Sequence, residues 1–215
     1  TAFCCGTSSV VRRQALDDLG GFPTDTVTED ILLTHKLYDH GYITRYLNEN
    51  LSMGLAAEGV GEYLTQRARW CLGNIQQLRT DAGPFSRNRQ SLVQRLHFFT
   101  GLTHWLLFPH RLLFLLAPAV YWYTGIPALE TNMGALVHHL GPAILANWVL
   151  MAWLSRNTVY PLIWDIAQLV PTFVVTRAVI AGLIKPRGQK FKVTAKGGSR
   201  DQVVVHWQVV AKMLA

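Results

Sequence analysis

The sequence predicts an α/β region joined to membrane α-helices, and two observations carry this prediction. Only 15% of the 215 residues are charged, whereas soluble globular proteins average about 25%. The apolar residues are also unevenly placed. Residues 1–90 mix polar and apolar side chains, and residues 96–184 are dominated by long stretches of Leu, Phe, Trp, Val and Ala. A water-exposed part is therefore expected to be joined to a membrane-embedded part.

Three helices are predicted in the polar part, from their end signals and periodicity. They run from Arg13 to Leu19, from about Asp30 to His40 and from about Gly61 to Arg79. Glycines follow the first two, and side chains suited to an N-cap precede the second. Those residues are Gly20, Gly21 and Gly41 at the C-terminal ends, and Thr26, Thr28 and Glu29 at the N-terminal end.

Short extended segments separate these helices. Residues 3–11 are predicted to form a turn and a short strand, and residues 42–47 and 51–56 are predicted to be two further strands. The alternation has the rhythm of an α/β domain, but it is too short for a complete nucleotide-binding domain. Because the chain begins with Thr1 inside an apparent element, it is expected to be a segment of a longer protein.

Two membrane spans are predicted in the apolar part, one within residues 98–126 and one from about Ala135 to Leu154. The connection between them contains no Lys or Arg, whereas basic residues lie beyond the other ends. By the positive-inside rule, the connection is outside the cell, and residues 1–95 and 156–215 are cytosolic. The flanking residues are Arg87, Arg89, Arg95, Arg156 and Arg177.

Residues 158–184 are apolar enough for a third span. However, Asp165 and Arg177 would together cost about 5 to 7 kcal/mol to insert. A third span would also place the following basic residues outside the cell. A helix lying at the cytosolic interface is therefore preferred. The domain boundaries predicted are 1–95 for the cytosolic part, 96–155 for two spans, and 156–215 for the interfacial helix and a cytosolic loop.

The charge and the cysteines argue against a nucleic-acid site and against a disulfide or metal site. The net charge is +7, but the basic residues flank apolar stretches rather than forming a patch interleaved with aromatic residues. This favours contact with anionic lipid or phosphate over nucleic acid. Cys4, Cys5 and Cys71 have no metal-ligand spacing, which indicates reduced thiols and no metal site within this segment.

Four short stretches contain residue types that bind sugars and phosphates. Thr28, Glu29 and Asp30 place two carboxylates at a helix start, where a carboxylate can accept a proton from a hydroxyl nucleophile; simple helix capping is the alternative. Gln66, Arg69 and Trp70 share one helix face, which suits a sugar and a phosphate. A core Trp beside surface polar groups is the alternative for that face.

The other two stretches are loops. Residues 3–7 (FCCGT) form a turn whose small residues would let a substrate approach the backbone, or else a buried turn. Residues 191–198 (FKVTAKGG) have the composition of a mobile basic loop that can close over a diphosphate, or of a linker near lipid headgroups.

In this order and spacing, the four stretches resemble the motifs of processive family 2 glycosyltransferases of the cellulose synthase type. Residues 28–30 match TED, residues 66–70 match QxxRW, residues 3–7 are similar to FFCGS, and residues 191–196 match the FxVTxK gating loop. The resemblance covers nearly the whole chain. The chain departs from it at Cys4 and Thr7, where the family usually has Phe and Ser. The resemblance implies that the polar region is the C-terminal part of a GT-A glycosyltransferase domain.

The resemblance also implies roles for individual residues. Thr28, Glu29 and Asp30 would form the catalytic group. Asp30 would be its general base. Trp70 would support the acceptor sugar, and Gln66 and Arg69 would help to hold the acceptor and the donor diphosphate. Cys5, Gly6 and Thr7 would line the acceptor site, and Phe191, Val193, Thr194 and Lys196 would form the gating loop. Mg²⁺ would assist the leaving group, with its ligands upstream of this segment.

The expected reaction is inverting, processive transfer of glucose from UDP-glucose to a β-1,4-glucan, coupled to export of the polymer. The expected partners are UDP-glucose, the glucan, the lipid bilayer and a periplasmic companion subunit, with no nucleic acid. The expected location is the bacterial inner membrane, in several passes. A curdlan-like β-1,3-glucan synthase is the alternative enzyme, and a non-catalytic membrane channel segment is the alternative of another class.

Overall fold

The computed structural model describes residues 2–49, 51–127, 130–188 and 205–214, and this part of the chain is helical. The helices are α1 (Arg13–Asp18), α2 (Glu29–Asp39), α3 (Val60–Gln76), α4 (Leu92–Thr124), α5 (Met133–Leu154), α6 (Pro161–Leu169), α7 (Thr172–Ile184) and α8 (Trp207–Leu214). A short 3₁₀ turn, Gln77–Arg79, continues α3. The three helices predicted in the polar part are confirmed as α1, α2 and α3.

The predicted strands are wrong within the described residues. Residues 3–11, 42–47 and 51–56 are without regular structure apart from bends, and no strand is assigned elsewhere in the described ranges. An extended segment becomes a strand only when a second strand supplies hydrogen-bond partners along its edge. Here no such partner lies alongside, and apolar side chains in these segments, including Ile43, Tyr46 and Met53, remain exposed.

The predicted N-cap of α2 is only partly correct. Thr28 occupies the N-cap position, but its side chain makes no capping hydrogen bond. It is buried instead, as is Thr26, whose hydroxyl donates to the Thr28 carbonyl at 3.0 Å. Glu29 is the first residue of the helix rather than its cap. Packing against α3 therefore takes the place of capping at this helix start.

The described residues fall into two compact units. One contains the described residues of Thr1–Phe108 and Val174–Ala215, and the other contains Pro109–Phe173. In the first unit, α3, the N-terminal part of α4 and α7 share an apolar core. Its buried members are Cys71, Ile75, Phe98, Leu102, Trp105, Phe108, Val175, Ala178 and Val179. A smaller core joins α1 to α2 through Ala15, Leu33 and Leu37.

Helix α7 approaches α3 closely within the first unit. A Cβ placed on Gly182 would lie 2.8 Å from Cγ2 of Ile75, so no side chain fits there without displacing α3. Cys71 also links α3 to α7, because its thiol donates to the Val175 carbonyl at 3.8 Å, and burial raises its pKa to about 12. The backbone of α7 is therefore part of the support on which α3 rests.

Two helices, α4 and α5, are long and apolar enough to cross a membrane, and they coincide with the two segments predicted to be spans. None of the residues of α5 is buried, and a helix that is apolar all round is typical of a lipid environment. In the second unit, the Trp148 indole donates to the Asp165 carboxylate at 3.0 Å, linking α5 to α6.

The continuous helix predicted over residues 158–184 is wrong, because two helices occupy this range, while the interfacial location of this region stays a prediction. Helix α6 ends at Leu169, and α7 begins at Thr172. Pro171 explains the break, since proline has no N–H to continue the hydrogen bonds of α6. If the broken pair counts as one span, the described residues hold up to three spans.

Candidate active site

The two carboxylates at the start of α2 have different surroundings. Glu29 is exposed, whereas Asp30 is half-buried and its Oδ1 accepts a hydrogen bond from the Ile31 N–H at 2.9 Å. Burial raises the pKa of Asp30, and the charge of Glu29 raises it further. The Ile31 hydrogen bond and the charge of Arg69 act in the opposite direction, and the net result is a raised pKa. A raised pKa makes Asp30 a stronger base than an ordinary aspartate.

The loop at residues 3–7 lies against Asp30. Gly6 has φ +79°, and a Cβ there would lie 2.9 Å from Asp30 Oδ2, so this position has room only for glycine. The Cys4 N–H donates to Thr34 Oγ1 at 2.9 Å, and that hydroxyl donates to the Asp30 carbonyl at 3.3 Å. The loop is thus fixed to the first turns of α2, with its backbone close to the free oxygen of Asp30.

Cys5 and Thr7, the other predicted acceptor-site residues of this loop, are both exposed. Partial burial and then the charge of Asp30 raise the pKa of the Cys5 thiol. This thiol is therefore protonated at neutral pH, and it is a poor nucleophile. All three cysteines of the chain are free, as predicted.

Helix α3 has two opposite faces, because residues three and four apart in a helix lie on the same side. One face is apolar and packs into the core shared with α4 and α7. The other carries the predicted acceptor-binding residues and continues to the helix end. The first face contains Ala68, Cys71, Ile75 and Leu78, and the second contains Gln66, Arg69, Trp70, Gly73 and Gln77.

On the polar face, Gln66 and Arg69 are half-buried, and Trp70 is 37% exposed. The Arg67 guanidinium carbon lies 5.1 Å from the ring centre of Tyr63 and 5.5 Å from that of Trp70. These are cation–π distances, which help to fix the indole. Arg69 is close enough for its charge to lower the pKa of Asp30. The structure therefore brings Asp30 and Gly6 together, with the charge of Arg69 within electrostatic range of Asp30.

Three residues of α3 and its 3₁₀ extension that were not predicted hold the segment before Asp30. A Cβ on Gly73 would lie 2.1 Å from Thr28 Oγ1. The Gln77 side chain donates to the same hydroxyl at 3.5 Å, and the Gln76 side chain accepts a hydrogen bond from the Val27 N–H at 2.9 Å. The sequence does contain a signal for these residues, because Gly73, Gln76 and Gln77 continue the spacing of three and four residues beyond Trp70.

The predicted gating-loop residues Phe191, Val193, Thr194 and Lys196 lie outside the described residues. For metal binding, the described ranges contain no group of three His, Cys, Asp or Glu side chains that could hold an ion. The described residues therefore show no metal site of their own.

Comparison with known proteins places the chain in a family. Residues 1–164 match the family described as "Glycosyl transferase family group 2". The chain is 31% identical over 208 residues to "Putative cellulose synthase 2" of Komagataeibacter xylinus, covering 97% of this chain and 14% of that protein. It is 29% identical over 212 residues to "Cellulose synthase catalytic subunit [UDP-forming]" of Pseudomonas fluorescens (strain SBW25), covering 99% of this chain and 29% of that protein.

A similarly named subunit of Komagataeibacter sucrofermentans is 29% identical over 200 residues, covering 93% of this chain and 26% of that protein. The chain thus spans less than a third of the length of these relatives. The family match includes α2, α3 and both membrane-capable helices, which are the elements that carry and follow the candidate site. The chain belongs to glycosyl transferase family group 2.

Proposed function

We propose that the full-length protein containing this chain transfers glucose from UDP-glucose to a growing β-1,4-glucan and passes the polymer across the bacterial inner membrane. One observation carries this proposal. A half-buried aspartate with a raised pKa lies at a helix start, beside a glycine turn and an arginine from the acceptor-binding helix. A general base, a close backbone approach and a cation are what sugar transfer to a hydroxyl requires.

Asp30 is proposed to act through Oδ2, because Oδ1 is bonded to the Ile31 N–H. The acceptor hydroxyl gives its proton to Oδ2 while its oxygen forms a bond to the anomeric carbon of glucose. The bond from that carbon to the UDP oxygen breaks with its electron pair, so UDP leaves as the anion. A single displacement inverts the α donor into a β product.

Trp70 is proposed to support the acceptor glucose with its partly exposed indole, which Arg67 fixes from one side. Gln66 and Arg69 are proposed to hold the acceptor and the donor diphosphate. Glu29 and Thr28 contribute indirectly, the former through its charge on Asp30 and the latter by packing against α3. For Phe191, Val193, Thr194 and Lys196, the resemblance alone supports a role in closing on the nucleotide.

The polar region is proposed to be the C-terminal part of a GT-A domain. The exposed apolar side chains of residues 42–49 and 51–56 support this assignment, because such segments pair readily with further strands. We also propose cytosolic residues 1–95, spans within 96–155, and an interfacial and loop region at 156–215. Mg²⁺ with ligands upstream and a periplasmic companion subunit complete the proposal, and no step of the reaction is derived through either.

Analysis of the product linkage tests this function. The full-length protein in membranes is supplied with UDP-glucose, and the polymer is methylated, hydrolysed and analysed for linkage positions. The proposal predicts 4-linked glucose and release of UDP. A product with 3-linked glucose would instead establish the curdlan-like enzyme, and membranes that release no UDP from UDP-glucose would contradict glucosyl transfer altogether.

A further inference from the structure

Gln76, at the C-terminal end of α3, is a buried glutamine with both ends of its amide engaged. It is 7% exposed. Its Oε1 accepts a hydrogen bond from the Val27 N–H at 2.9 Å, and its Nε2 donates to the Pro186 carbonyl at 2.6 Å. The two partners fix the amide orientation, since a backbone N–H needs an oxygen and a carbonyl needs a donor.

The two partners of Gln76 belong to segments 159 residues apart in the sequence. Val27 lies three residues before Asp30, and Pro186 lies two residues beyond the end of α7. Arg79 binds the same end of α7, because its guanidinium donates a hydrogen bond to the Leu183 carbonyl at 2.6 Å. The C-terminal end of α3 thus holds both the approach to the catalytic aspartate and the exit from α7.

The contacts around Val27 leave the approach to Asp30 little freedom. Thr28 is buried beneath Gly73, where no side chain fits. Its hydroxyl oxygen accepts a hydrogen bond from the Gln77 side-chain amide. In this packed segment, the Val27 N–H has its acceptor in Gln76. Without that acceptor a part-buried donor is left unpaired, and the backbone is expected to shift to reach another partner. Asp30 is three residues away, so such a shift moves its carboxylate.

We propose that Gln76 is a positioning residue for the reaction: it holds the backbone at Val27, and thereby places the Asp30 carboxylate against the acceptor hydroxyl. The Pro186 carbonyl keeps the amide in the orientation that serves Val27. This inference rests on the proposed function, because it assigns Gln76 its role through the base. Gln76 need not touch the sugar or the nucleotide for this role.

Two substitutions separate the hydrogen bonds of Gln76 in the full-length enzyme. Gln76→Met preserves volume but removes both bonds. Gln76→Glu keeps an oxygen for the Val27 N–H and removes the donor to Pro186. The cavity of about 390 Å³ that residue 76 lines holds three cations, Lys36, Arg79 and Arg187, and two carboxylates, Asp25 and Asp81, so the added negative charge faces one excess positive charge. Gln90→Met is the matched control, because Gln90 is also buried and its amide donates to the Ala82 carbonyl at 2.8 Å and to the His35 carbonyl at 3.4 Å, beyond the first turn of α2 that carries Asp30.

Turnover is measured per folded enzyme, with the folded amount taken from the monodisperse size-exclusion peak. Gln76→Met should lower kcat about 10- to 100-fold, the range expected for a misplaced catalytic group, with the KM for UDP-glucose unchanged. Gln76→Glu should recover kcat to within about threefold of the wild type, and Gln90→Met should keep it. Wild-type kcat in Gln76→Met, an equal loss in Gln90→Met, or no recovery in Gln76→Glu would each overturn the proposal.

A double substitution tests whether Gln76 acts through the base. Adding Gln76→Met to Asp30→Asn should cause no further loss of residual turnover, because the group being positioned is already absent. Losses that multiply would overturn the positioning role. The proposed function fails separately: near-normal synthesis by Asp30→Asn alone contradicts the assignment of the base, whereas an inactive Asp30→Asn beside a fully active Gln76→Met contradicts only the role of Gln76.

Discussion

Gly73 and Thr28 touch so closely that a Cβ on the glycine would lie 2.1 Å from the threonine hydroxyl and 2.5 Å from its methyl group. Helix α3, which carries the proposed acceptor-binding residues, therefore rests directly on the N-cap residue of α2, the helix that carries the proposed base. This contact acts together with the hydrogen bonds of Gln76 and Gln77 to hold the segment before Asp30, so a change in it should alter catalysis.

Gly73→Ala should reduce polymer synthesis by at least about tenfold, because the new methyl group must push α3 away from Thr28 and overpacking of this kind costs roughly 1 to 3 kcal/mol. Synthesis per folded enzyme in membranes is the measurement. Gly101→Ala is the control, since a Cβ on that helical glycine in α4 meets nothing within 4 Å. Equal activities in the two variants would show that the contact does not matter.

Local signals predicted much of this fold, and tertiary contacts account for what they missed. Gly20 and Gly41 marked the ends of α1 and α2 correctly, because a residue with positive φ ends a helix regardless of its surroundings. The strand at residues 42–47 failed, because alternating apolar residues form a strand only beside a partner. The role of Gly73 was also missed, since its meaning depends on Thr28, 45 residues earlier in the sequence.

The acid limb of the pH–rate profile should report the protonation of the Asp30 carboxylate. Because its pKa is raised, turnover should fall at a higher pH than an ordinary aspartate would give. Glu29 raises this pKa, so Glu29→Gln should move the limb to lower pH. Arg69 lowers it, so Arg69→Gln should move the limb to higher pH, whatever its effect on the maximal rate. Shifts in the same direction, or none, would contradict the assignment of the limb to Asp30.

His35 should make the protein less stable in acid. It is buried on α2 with its ring 4.8 Å from that of Phe98, and burial lowers its pKa to about 4. The unfolded chain binds this proton near pH 6.5. The free energy of unfolding is therefore unaffected by His35 above pH 6.5. It decreases as the pH drops toward 4, by at most about 3 kcal/mol.

The variant His35→Leu tests this effect, because it removes the titrating group and keeps an apolar side chain. The thermal midpoint of the detergent-solubilised full-length protein is measured from pH 4 to 7. The acid-side decrease should be smaller in the variant than in the wild type. Parallel curves would show that His35 does not titrate in folding.

The proposed topology predicts different access at the two ends of α5. In a background without native cysteines, Cys introduced at Glu130 should react with an impermeant reagent applied to intact cells from outside. Cys at Arg156 should react only after the membrane is opened, since cytosolic connections carry the basic residues. Outside labelling at position 156 would reverse the proposed orientation of these spans.

The rate of polymer synthesis by Asp30→Asn in the full-length enzyme tests the central claim most directly. Asparagine preserves the shape of the side chain and removes the proton acceptor, so incorporation of glucose from UDP-glucose should fall about 100-fold or more while the folded amount stays the same. Synthesis near the wild-type rate would show that Asp30 is not the base and would contradict the proposed mechanism at its first step.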